Sequence, residues 1–157
     1  MNLQRPALDP ADAPQRNGST YPEPFASRVL PREKRLLAST VGLTKLGVNL
    51  TTLPPGKQSS MRHFHTLEDE MVFVIEGEVT LVTDAGEQLL RAGQCAGFPC
   101  GTTDGHHLIN KSAQPVRYLE ISSKDPADTA GYSDVDLVYL GQVDGKSRYS
   151  HKDGTPY

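Results

Sequence analysis

The sequence predicts an all-β protein, a sandwich or a barrel, and three observations carry that expectation. Short runs of alternating apolar and polar residues recur along most of the chain. Gly, Pro and Asp clusters separate them, and hardly any stretch repeats with the helical period. With 157 residues, the chain is long enough for one domain with a buried core.

Residues 1–25 are rich in proline, alanine and polar side chains without a period. They read as an extended or disordered arm whose YPEPF segment docks through its rings. Over residues 27–37, Pro31 limits both a short helix and an irregular strand, and the basic run 32–35 is expected on the surface. Residues 40–53 suit one or two strands, stopped by Pro54, Pro55 and Gly56. After Gly77 comes a hairpin: a strand through Thr83, a turn over 84–86 and a return to Leu90. Short strands follow at 94–98, 106–110 and 116–122. The tail from Lys124 is polar and turn-rich with spaced tyrosines, and its YSDVDLVYL stretch contributes one strand or wraps the barrel.

Charge and hydropathy exclude several classes. A net charge of -3, with only short basic clusters, leaves no footprint for nucleic acid. No apolar run reaches membrane-spanning length and the N-terminus lacks an apolar signal core, so a cytoplasmic protein without membrane association is expected. Cys95 and Cys100 are then expected as reduced thiols.

Chemistry concentrates between Gly56 and Gly77. His63 and His65 stand one residue apart, and on a strand their Cα atoms would be about 6.5 to 7 Å apart on one face. Glu70 opens an alternating run in which Val72 and Val74 share its face and Met71, Phe73 and Ile75 take the other. Two imidazoles and a carboxylate suit a first-row divalent ion, and Glu68 and Asp69 compete with Glu70 for that role. A second cluster, GQCAGFPCGTTDGHHLIN over 93–110, brings His106 and His107 to the start of another strand. Strand neighbours face opposite ways, so only one of them can join the site.

These two segments resemble the two motifs of the cupin superfamily. His63, His65, Glu70 and Gly77 fit the first: His, one residue, His, four residues, Glu, six residues, Gly. Gly93, Pro99, Gly101, His106 and Asn110 fit the second, although the TTDG spacer before His106 is two residues longer than usual. The DGHHLIN wording is similar to that of a subgroup of small bacterial single-domain cupins.

The resemblance implies a double-stranded β-helix, or jelly-roll, barrel over residues 26–123. Extended arms over 1–25 and 124–157 flank it, the second packing on the barrel or on a dimer partner. It implies a metal site of His63, His65, Glu70 and His106, with His107 as the alternative if the longer spacer shifts the register. The ion would be one divalent transition metal: Mn, Fe, Ni, Co or Zn.

Gln58, Thr80, Phe98, Cys100 and Asn110 are the expected substrate-pocket residues. A metal-dependent enzyme on a small polar, oxygen-rich molecule is the leading expectation: a sugar-phosphate-isomerase-like enzyme, a lyase or decarboxylase, or a dioxygenase. The alternative is a non-catalytic cupin that binds or senses a sugar or carboxylate. A homodimer is expected in either case. No catalytic acid or base stands out by spacing, and no anion clamp is evident.

Overall fold

Two facing antiparallel sheets wrap one interior. A computed structural model describes residues 3–157, so the first two residues of the expected arm lie outside the described residues. The described residues form thirteen strands: β1 Gln15–Arg16, β2 Glu33–Leu36, β3 Leu46–Leu53, β4 His63–His65, β5 Glu70–Glu76, β6 Glu78–Thr83, β7 Gly86–Arg91, β8 Cys95–Phe98, β9 His107–Ile109, β10 Val116–Ser123, β11 Ala130–Tyr132, β12 Val138–Val143 and β13 Lys146–Ser150. Among the described residues a 3-10 turn at Pro10–Asp12 and two short α-helices accompany them, α1 Phe25–Val29 and α2 Leu37–Thr40.

One sheet has six strands in the order β1-β2-β3-β10-β5-β8. The opposing layer consists of β13-β12-β11-β4 and β7-β6-β9, joined where His63 bridges His106 and Gln58 bridges Ile109. This is a jelly roll, as the resemblance implied.

Alternation decides what enters the interior. On β5, Val72 and Val74 are buried while Met71, Phe73 and Ile75 are exposed, as the sequence period requires. The buried pair joins Leu53, Val79, Leu81, Leu108, Val116 and Tyr118 in the main core. The hairpin closes with Thr83 opposite Gly86. Gly77 ends β5 at φ +81°, and a Cβ there would lie 3.1 Å from the Pro115 carbonyl oxygen, so the turn into β6 requires glycine.

Three features depart from the sequence expectations. The single strand over residues 46–53, one of the two expected outcomes, starts later than residue 40, because α2 takes up Leu37–Thr40 before it. The tail supplies three strands rather than one, with β11 pairing onto β4. The basic run 32–35 is not simply a surface patch. β2 lies between β1 and β3, with Lys34 opposite the fully buried Thr51 and Arg35 turned the other way. Arg35 there pairs with Glu33 and donates to the Ala11 carbonyl at 2.8 Å, tying the N-terminal segment to the sheet. A second core of Phe25, Val29, Met61, Tyr132 and Leu137, with Tyr21 against it, joins that segment to the tail.

Candidate metal centre

β4 projects His63 and His65 from the same face. β11 lines one of its edges, with Tyr132 opposite His63 and Ala130 opposite His65, and the backbone of His106 bridges to the other. Glu70 opens β5 opposite Phe98 of β8. Four side chains therefore converge. From Glu70 Oε2, the Nε2 atoms of His106, His63 and His65 lie at 3.0, 3.4 and 3.6 Å.

The outer nitrogens of two rings set their tautomers. His63 Nδ1 is 3.0 Å from the Met61 carbonyl oxygen, and His65 Nδ1 is 2.5 Å from Asp128 Oδ2. Both partners accept, so each Nδ1 carries the hydrogen and each Nε2 turns its lone pair to the centre. Lone pairs aimed at a carboxylate repel one another unless a cation lies between them. Three imidazole nitrogens and one carboxylate oxygen, with room for further ligands, fit a first-row divalent metal. His106 is held differently: its ring stacks flat on Phe98 with centroids 3.5 Å apart, and its buried Nδ1 has no partner among the described residues.

The electrostatics follow. Burial alone would raise the Glu70 carboxyl, but the surrounding His106, His63 and His65 imidazoles outweigh it and hold the group well below the usual range. Burial pushes the His106 imidazole down, against the pull of Glu70, which favours the neutral ring a metal requires.

The competing residues are engaged elsewhere. His107 turns the other way, its Nδ1 3.1 Å from the Ser60 carbonyl. Glu68 takes Lys124 Nζ at 2.9 Å and the Asp125 amide at 3.1 Å, and Asp69 accepts the Cys100 amide at 2.9 Å. Glu68 also stands with His65 and Asp128 in a second acid and histidine group that shares His65 with the first.

A cavity of about 680 Å³ opens from the centre, lined by Arg32, Lys34, Phe98, Tyr118, Glu120 and Tyr132 among others. Of the five pocket residues expected from sequence, Phe98 reaches it. The other four do not line it. Gln58 donates to the Ser60 carbonyl, and Thr80 is buried in the β6 pairing with Ile109. Fully buried Asn110 donates to the Leu53 and Gln114 carbonyls at 2.9 and 2.8 Å, so its role is to close a turn. Cys100 sits in the loop after β8, and both cysteines are free thiols. Arg62 is largely covered and clamps Asp134 and Asp84.

Sequence reasoning missed Lys34, Glu120 and Asp128. Lys34 Nζ meets Glu120 Oε2 at 2.5 Å, and Tyr118 Oη donates to Glu120 Oε1 at 3.2 Å. Burial favours a neutral Glu120, but Lys34 overrides it and keeps the carboxylate ionised. The available signal was parity: Glu120 shares a face with Val116 and Tyr118. Asp128, in the polar tail, had no local signal.

Residues 49–122 match the family model described as Cupin domain. The structure superposes with a TM-score of 0.92 on a sugar phosphate isomerase of the cupin superfamily from Silicibacter pomeroyi, 38% identical over 97% of this chain and 96% of that one. The chain belongs to the cupin superfamily. This cupin also matches a proposed sugar phosphate isomerase from Acidithiobacillus ferrooxidans at 25% identity, covering 81% of this chain and 80% of that one with a TM-score of 0.72. A polyketide cyclase from Streptomyces resistomycificus shares the fold at 20% identity, a TM-score of 0.60 and coverage of 79% and 81%. No curated protein matches this cupin.

Proposed function

We propose that this cupin is a metal-dependent isomerase of a small phosphorylated sugar, with His63, His65, Glu70 and His106 as its metal ligands. The observation that carries the reading is the convergence of three Nε2 atoms on Glu70 Oε2 at the wall of a cavity large enough for such a molecule. The likeness to the Silicibacter pomeroyi isomerase over nearly the whole chain supports the choice of reaction. A divalent metal supplies Lewis acidity toward a carbonyl and its neighbouring hydroxyl.

The chain's own groups supply the rest. Phe98 fixes the His106 ring, and the buried Tyr132 lies 5.9 Å from the His63 ring in a stacked arrangement. Glu120, ionised and aimed by Lys34 and Tyr118, is the carboxylate placed to take a proton from a carbon next to the carbonyl and return it to the adjacent carbon.

The test is a panel of aldose and ketose phosphates assayed with protein loaded with Mn, Fe, Ni, Co or Zn, alongside Glu120→Gln. Turnover lowered about 10²- to 10⁴-fold by Glu120→Gln supports the reading. Tight binding of the same sugars with no turnover under any metal replaces it with a binding protein.

A further inference from the structure

Most charges facing the cavity are already answered. Glu120 holds Lys34, Glu68 holds Lys124, Glu70 faces the three imidazoles, and Asp128 holds His65. Of the remaining charges that line the cavity, Arg16, Lys45 and Asp125 are exposed to water, whereas Arg32 is partly covered. It stands two residues before Lys34 on the same side of the chain and lines the cavity. Its Nε and Nη1 are shut off from solvent, yet neither has a hydrogen-bond partner, and the residue makes no ion pair among the described residues. Its charge acts on Lys34, Glu120, Tyr118, Tyr21 and Tyr149, which places it in the polar half of the interior.

A guanidinium does not escape burial by losing its proton. Arg32 is only partly covered, but leaving two of its donors out of water and unpaired is unfavourable, and an anion from outside would satisfy them. The planar fork of donors matches phosphate or carboxylate oxygens in pairs. Arg16 is exposed and also lines the cavity, adding positive potential on the approach.

We propose that Arg32 anchors the phosphate of the substrate while the opposite end of the molecule meets the histidine centre. It is thereby the residue that selects phosphorylated over neutral sugars. The choice of phosphate rests on the isomerase reading; the existence of an anion site does not.

The probe is inorganic phosphate, titrated calorimetrically into chelator-treated and metal-loaded protein. Phosphate binding to chelator-treated wild type should weaken on the order of 10- to 100-fold in Arg32→Met, the worth of a charge-assisted pair. Arg32→Lys, which keeps the charge without the fork, should lie between. Arg91→Met, at an arginine 65% exposed and outside the cavity, should match wild type. The melting temperature of Arg32→Met without phosphate should not fall, because no protein partner is lost.

Unchanged phosphate affinity in both Arg32 variants overturns the proposal, and so does acetate binding as tightly as phosphate, which would mark a carboxylate site. Phosphate binding that depends on Arg32 in a protein without isomerase activity leaves the anion site standing and removes the reaction assigned above.

Discussion

Asp128→Asn should leave the barrel folded and weaken metal binding about 10- to 100-fold, or about 1.4 to 2.8 kcal/mol. The magnitude follows from what Asp128 accepts. Oδ2 takes His65 Nδ1 at 2.5 Å, and Oδ1 takes the amides of Leu67 at 2.9 Å and Glu68 at 3.2 Å, all in a residue only 4% exposed. Asparagine offers one oxygen and one NH₂ in that space. If the NH₂ faced the two amides, two buried donors would lose their acceptor, at roughly 1 to 3 kcal/mol each. Turning it toward His65 is cheaper, because the imidazole can move its proton to Nε2 and accept at Nδ1. That tautomer has no lone pair for a metal, so the fold survives and one ligand is lost. Competition against a chelator of known affinity reads the loss, and circular dichroism verifies the fold. An Asp128→Asn protein that binds metal within about twofold of wild type would refute the tautomer argument.

Four further outcomes are expected. His106→Ala should reduce metal affinity by more than the roughly 100-fold upper range of an outer partner, whereas His107→Ala should leave it near wild type; the reverse ranking in the same competition assay would place His107 in the centre. Gly77→Ala should cost about 1 to 2 kcal/mol in urea denaturation, since φ +81° is unfavourable for alanine and the Pro115 oxygen is 3.1 Å from the new Cβ; an unchanged midpoint would show that the turn relaxes freely. Hydrogen bonding to Arg62 depresses the Asp134 carboxyl, so its stabilisation is fully present above the ordinary carboxylate range and fades as pH falls through the folded value. Asp134→Asn should therefore lower the melting temperature near neutrality and match wild type in strong acid, and a pH-independent difference would contradict the linkage. Light scattering should give twice the 17.1 kDa chain mass if the expected homodimer forms, and the single-chain mass would dismiss it.

The parts of the fold legible in the sequence are those where one strand's alternation settles the outcome. Val72 and Val74 against Met71 and Phe73 fix which face of β5 is internal, and the Asp84–Gly86 turn fixes the neighbouring hairpin. Arg32 and Lys34 obey the same period, but a run of charges directly after Pro31 gives no apolar face to anchor the parity. Its inward side becomes apparent only once β2 is paired with β3, where Lys34 stands opposite Thr51. The tail was less legible still, because β11 joins the barrel by pairing with β4 across more than sixty residues of chain, beside its local pairing with β12. Asp128 inherits its position from that long-range pairing. Asn110 misled for the opposite reason: a polar residue in an inward register reads as pocket lining, yet its amide is consumed by the Leu53 and Gln114 carbonyls.

The interior is divided by the way its charges are answered. Leu53, Val74, Val79, Leu108 and Val116 fill one part of the barrel without polar atoms, which leaves the hydroxyl of Tyr118 to mark the boundary by donating to Glu120. Beyond that boundary, removing Glu120 would strand Lys34, and removing Lys34 would leave a buried carboxylate; either loss is more destabilising than the intact pair is stabilising. The pair, with Tyr118, holds one carboxylate in a fixed place in the cavity wall, within reach of the charges of Arg32 and Glu70. Arg32 lacks such a hydrogen-bonded partner among the described residues, and its charge reaches Glu120 only through space. Two of its donors stay unpaired among the described residues, and a bound anion is what would turn that unfavourable placement into a favourable contact.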